Sequence, residues 1–132
     1  FAGDVEVVKP PTVAAQEDTS RVFDEAIDAV VDAYHKLLDA GVPAEDARYL
    51  LPNAAETKIV ITMNIRELLH FLSLRCCNRA QWEIRELANR MLELVRPTAP
   101  YIFMDAGAPC VRGVCPEGKM TCGNPYPKVV RE

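Results

Sequence analysis

The chain has 132 residues, enough for one domain with a modest core. About half are apolar (49%) and about a quarter charged (26%), the mix of a soluble globular protein. A net charge of −4 argues against general nucleic-acid or anionic-membrane binding while leaving room for a local cationic pocket, and no apolar run reaches the roughly 20 residues of a membrane span.

The opening "FAGDVEVVKPP" has neither the basic start nor the long apolar core of a signal peptide. Residue 1 is Phe rather than Met, so the chain is expected to begin inside a longer protein. Residues 1–16 are expected to be extended or irregular, with "VEVV" as a short strand stopped by Pro10 and Pro11. A long helix is predicted over 18–40. Val22, Ala26, Val30, Ala33 or Tyr34, and Leu37 recur at helical spacing; Asp18, Thr19 or Ser20 suits the N-cap, and Gly41 suits the position just past the end. The acidic residues Asp24, Glu25, Asp28 and Asp32 read as its solvated face. Pro43 then fits the first turn of a short helix, "PAEDARYLL", closed by Pro52.

"ETKIVITM", 56–63, is the best strand. It is rich in β-branched residues, with Thr57, Ile59, Ile61 and Met63 alternating with Lys58, Val60 and Thr62. Asn64 with Glu67 three residues on resembles a capping box opening a helix that runs to about Cys76. Asn78 with Gln81 suggests a second start, for a helix over 79–95 that Pro97 and Pro100 end. Residues 104–132, with Pro109, Pro116, Pro125 and Pro127, form a Cys/Gly/Pro-rich tail expected to be mostly irregular.

The helix at 65–76 poses the functional question. Ile65, Leu68, Leu69, Leu72 and Cys76 make one broad apolar face, which Phe71 and Leu74 extend most of the way round. Arg66, His70, Ser73 and Cys77 make a single polar seam along it. A buried charge is costly without a partner. Either Arg66 pairs with a carboxylate such as Glu67 or Glu83 and His70 is a satisfied core residue, or the seam meets a polar ligand or another subunit. Arg75 lies about half a turn away at the C-terminal end. If the chain turns at 76–78, it stands beside the N-terminus of the next helix, a setting suited to an anion or a polar heterocycle.

The five cysteines are Cys76, Cys77, Cys110, Cys115 and Cys122, an odd count that fits a reducing cytosol and hence a cytoplasmic protein. The last three form C-x4-C-x6-C. Metal sites usually show tighter pairs and four ligands, so no metal site is expected; free thiols or one incidental disulfide is the alternative to a structural zinc site.

"MNIRELLHFLSLRCCNRAQWEIRELA", with "EDARYLLP" at 45–52 upstream, resembles the C-terminal half of flavin-dependent thymidylate synthases. In that family a strand runs into N-x-R-x-L-x-[NH]-F, then L-R, a short polar break and A-Q-W-E-I. The tail "APCVRGVCPEGKMTCG" also looks like tails on some members, and the likeness covers roughly residues 20–125. The family's R-H-R-x-x-S-x-N-E-x-S-x-R motif is absent and would lie N-terminal to residue 1. The resemblance therefore implies a C-terminal portion of the enzyme domain over 1–103, followed by the tail over 104–132. It implies an α+β fold, mostly helical here, in which a strand precedes two packed helices and a long N-terminal helix stands before them.

The activity implied is reductive methylation of dUMP to dTMP, with FAD as cofactor, methylenetetrahydrofolate as carbon donor and NADPH as electron source, in a homotetramer whose sites combine several subunits. Arg75 matches the arginine that contacts the uracil ring and favours ionisation at N3, the catalytic role. Arg48 matches a second dUMP-binding arginine. Asn64, Ile65 and Arg66 match a segment contacting FAD, and His70 an Asn/His position that meets the flavin. Arg79 stands where other members carry His and is assigned no role; Gln81, Trp82 and Glu83 match a motif for which packing and capping suffice. Alone, the portion is expected to be inactive. The alternative is a non-catalytic helical interaction module with a metal-binding Cys tail.

Overall fold

The computed structural model describes residues 5–128; the readings for 1–4 and 129–132 lie outside them. The chain divides into two compact units, one through Val60 and one from Ile61.

In the first unit, α1 (Pro11–Ala14) leads into α2 (Glu17–Asp39). None of the three candidate caps occupies the N-cap of α2. Gln16 stands there without a side-chain hydrogen bond, and the Thr19 hydroxyl instead donates to the carbonyls of Val13 (2.7 Å) and Gln16 (3.0 Å), tying α1 to α2. The C-terminus follows the sequence closely. Gly41 has φ +84°, its N–H donates to Leu38 O (2.9 Å), and the Val42 N–H donates to Leu37 O (3.0 Å). These are the two bonds of a Schellman motif, which needs a left-handed residue where an L side chain would be strained. α3 (Ala44–Ala47) and a 3-10 turn (Arg48–Leu50) fold back on α2, burying Tyr34 and Ala47. Val22, expected to face inward, is 62% exposed, while Phe23 is half-buried beneath the Lys9 ammonium, 5.7 Å from its ring centroid.

The predicted strand at 56–63 is the main difference. Among the described residues no β-ladder forms; the pairing present is an isolated antiparallel bridge between Val7 and Ala55, to which "VEVV" contributes. A strand is completed by a neighbour that takes up its N–H and C=O groups, and residues 57–63 have no such neighbour among the described residues. Ile59, Val60 and Ile61 are 71%, 101% and 61% exposed, so the β-branched sequence is left with both faces uncovered.

In the second unit, Asn64 caps α4 (Ile65–Arg75) as expected, its Oδ1 accepting the Glu67 N–H at 2.9 Å. The next helix, α5 (Trp82–Val95), starts three residues later than predicted. Gln81, not Asn78, is the cap, its Oε1 accepting the N–H groups of Glu83 (2.9 Å) and Ile84 (3.1 Å). Asn78 lies in the turn, where its amide donates to Asn124 O (2.7 Å). α4 and α5 pack together, α6 (Pro100–Phe103) follows, and the chain then makes two 3-10 turns, Pro109–Val111 and Gly118–Met120.

The core of this unit joins Leu72 and Cys76 of α4, Ala88 and Leu92 of α5, and Phe103 of α6 to Ala106, Ala108 and Cys110. Residues beyond 104 thus fill the space between the helices although they form little regular structure. Cys115 and Tyr126 pack against the same cluster.

Candidate functional site

α4 presents two kinds of polar group. Arg66 and His70, one helical turn apart, are exposed and have no hydrogen-bond or ion-pair partner among the described residues. The expected partners of Arg66, Glu67 and Glu83, do not pair with it. Ser73, third in the seam, turns back on its own helix and donates to His70 O at 2.7 Å. Ile65 is 50% exposed beside Arg66. The Asn64 carbonyl oxygen is committed to capping, which leaves its amide N–H groups without a partner among the described residues.

Arg66 and His70 therefore form a solvated strip within this chain, while Ser73 and Cys77, the rest of the seam, are part-buried and border a cavity; the deepest burial of α4 is at Leu72, with Cys76 beyond its end. Burial pushes the Cys76 thiol above its ordinary pKa, with the Arg96 charge acting weakly the other way. Cys76 is held neutral and is a packing residue, not a nucleophile.

Arg75 stands apart from Arg66 and His70 but shares a cavity with Ser73 and Cys77. It lines a cavity of about 280 Å³ with Leu74, the 77–80 turn and the tail segment around Cys110, Cys115 and Pro125. Two guanidinium groups border this cavity. That of Arg79 is neutralised by Glu117, 2.9 Å away; that of Arg75 has no partner among the described residues. The turn itself is braced by Arg85, whose Nη1 donates to Asn78 O at 2.9 Å, and by an Ala80 N–H to Cys77 O bond of 2.9 Å. Arg75 is expected to work beside the N-terminus of the next helix, and part of that terminus is already satisfied. The Gln81 side chain already occupies two of the first N–H groups of α5.

A small, mainly apolar cavity with one unneutralised guanidinium suits a planar heterocycle that gains negative charge. Arg75 is itself exposed at the rim, so it would act through charge-assisted hydrogen bonds to that ring. Arg48 sits on the 3-10 turn of the first unit, exposed and without a partner among the described residues.

Sequence reasoning missed the far wall of the cavity. Cys110, Cys115, Glu117 and Cys122 border the same space as Cys77 and Arg75. All five thiols are free, and among the described residues no three His, Cys, Asp or Glu side chains are grouped as metal ligands. The available signal was C-x4-C-x6-C spaced by Pro and Gly, which marks a tail with defined turns. Nothing local to it says which surface the tail covers.

A family model described as thymidylate synthase complementing protein matches residues 2–101. A protein named flavin-dependent thymidylate synthase from Geobacter sulfurreducens is 63% identical over 116 residues, 88% of this chain and 50% of that protein. Proteins of the same name from Clostridium tetani and Saccharolobus solfataricus are 45% identical over 130 residues and 44% over 113, covering 86% and 84% of this chain and 52% and 44% of their own lengths. The chain spans about half the length of the curated relatives it matches. Among the described residues no helix is long and apolar enough to cross a membrane.

Proposed function

The chain belongs to the thymidylate synthase complementing protein family, and on that premise we propose that it is part of a flavin-dependent thymidylate synthase converting dUMP to dTMP. The observation that supports this most strongly is the 63% identity over 88% of the chain to a relative of that name. On this reading the carbon comes from methylenetetrahydrofolate and the electrons from NADPH, and the enzyme works in the cytoplasm.

Arg75 is the catalytic residue this portion contributes. Its guanidinium stabilises negative charge on the uracil ring, favouring loss of the N3 proton without an enzyme nucleophile. Arg48 binds dUMP through a charge-assisted bond. The Arg66–His70 strip fits FAD, because two exposed cationic or donor groups stand one turn apart without protein partners. Arg66 and His70 would hold the cofactor, with Ile65 as apolar contact and Asn64 offering its amide N–H groups. Bound reduced FAD supplies the electrons that take the transferred carbon to the methyl level. The enzyme is a homotetramer, and the strip and the bare 57–63 segment are covered by parts of the assembly beyond this chain.

Arg75→Ala in the enzyme of full encoded length tests the reading. Loss of one transition-state donor costs about a hundredfold or more in turnover, so dTMP formation falls by at least that factor while the far-ultraviolet circular dichroism is unchanged. Wild-type turnover in this variant, or a purified protein without flavin absorption bands, overturns it.

A further inference from the structure

We propose that residues 109–125 form a latched wall of the Arg75 cavity, and that the Arg79–Glu117 ion pair is the latch setting how tightly the nucleotide is held. The inference rests on the reading of this cavity as the dUMP site and adds the element that closes it.

The wall is anchored at both ends by packing. Cys110 is buried in the core, and Tyr126 lies against it. Between these anchors Cys115 also packs against the core, but most other side chains are exposed, so the core fixes the segment only in part. Its shape is local: the Met120 N–H bonds to Glu117 O (2.8 Å), and the turn continues through Gly118 at φ +53°. That turn carries Glu117 to the one cation on the opposite rim that it pairs with. Arg79 Nη1 meets Glu117 Oε2 at 2.9 Å, and a second tie runs from the Asn78 amide to Asn124 O at 2.7 Å. Both ties end on the turn that directly follows Arg75 and Cys76.

Two consequences follow from elementary electrostatics and chain entropy. A wall already in place spares the ordering cost of closing over a ligand, while Arg75 itself remains exposed at the cavity rim. Glu117 also removes the charge of Arg79 from the cavity and leaves Arg75 as the guanidinium the ring meets. Arg79 and Glu117 are thus positioning residues.

The test uses the holoenzyme of full encoded length and two readouts. The first is labelling of Cys77 and Cys115, which line the cavity, by 5,5′-dithiobis(2-nitrobenzoic acid), resolved by peptide mass spectrometry with and without dUMP. The second is the split between KM for dUMP and kcat. In the wild type, dUMP slows labelling of Cys77. Glu117→Gln and Arg79→Gln speed labelling of both thiols and raise KM about threefold to fivefold with kcat changed less than about twofold, the scale of one exposed ion pair. The exchanged pair Arg79→Glu with Glu117→Arg restores both readouts.

Absence of dUMP protection in the wild type overturns the reading of the cavity and the latch with it. Protection in the wild type, with labelling and KM unmoved by either single variant, overturns the latch alone. Failure of the exchanged pair to recover also overturns it, since the role is then not that of the ion pair.

Discussion

Leu72→Ala measures how far the second unit depends on the meeting of α4, α5 and the residues beyond 104. Among the described residues Leu72 is the largest fully buried side chain, at 0% exposure, and the core it belongs to includes Ala88, Leu92, Phe103 and Ala108. Removing about three carbons forfeits about 0.8 kcal/mol of transfer free energy for each. The surrounding residues come from three helices and an irregular segment and collapse only in part, so a cavity term adds to this. The expected loss is about 3–4 kcal/mol, inside the usual span for buried leucine. The assay is hydrogen–deuterium exchange on the full-length protein, following the amides of α4 and α5. If their protection depends on the packing of this unit, exchange accelerates more than about a hundredfold, because about 1.4 kcal/mol is tenfold. Leu74→Ala, two residues on and 51% exposed, stays within about threefold of wild type. Acceleration by less than about tenfold in Leu72→Ala refutes the assignment of the core.

Two further outcomes follow from individual contacts. Gln81→Ala removes the acceptor for Glu83 and Ile84 and costs about 1 kcal/mol, read as faster exchange at those amides; Asn78→Ala leaves them unchanged, and the reverse result restores Asn78 as the cap. Burial raises the Cys76 pKa in the folded state above its unfolded value, so the stability it contributes is full below the unfolded pKa and is lost as pH rises through the folded one. Cys76 accordingly resists alkylation at neutral pH while exposed Cys122 reacts, and equal rates at the two thiols contradict its burial.

Much of the helical content was legible from the chain because its signals are local. The period of apolar residues marks α2, α4 and α5, and one-sided caps such as Asn64 and Gly41 act through bonds to residues within one turn. Local signals also mislead locally. Asn78 and Gln81 both have capping chemistry, and the choice fell to Gln81 because tertiary structure drew the Asn78 amide to Asn124, 46 residues away. The candidate site divides along the same line. Motif spacing picked out Arg66, His70 and Arg75, and helical geometry alone separates Arg75 from the other two.

What the sequence by itself determined is the pattern of helices, the polar seam on α4 and the family, because each is written in neighbours along the chain. Only tertiary structure decided that Ala106, Ala108 and Cys110 complete the core with α4 and α5, that Glu117 reaches Arg79 across 38 residues, and that residues 57–63 join no ladder among the described residues. The physical reason is shared. A buried surface, an ion pair and a β-ladder each require a second partner, and the intrinsic preference of one segment does not say where that partner stands.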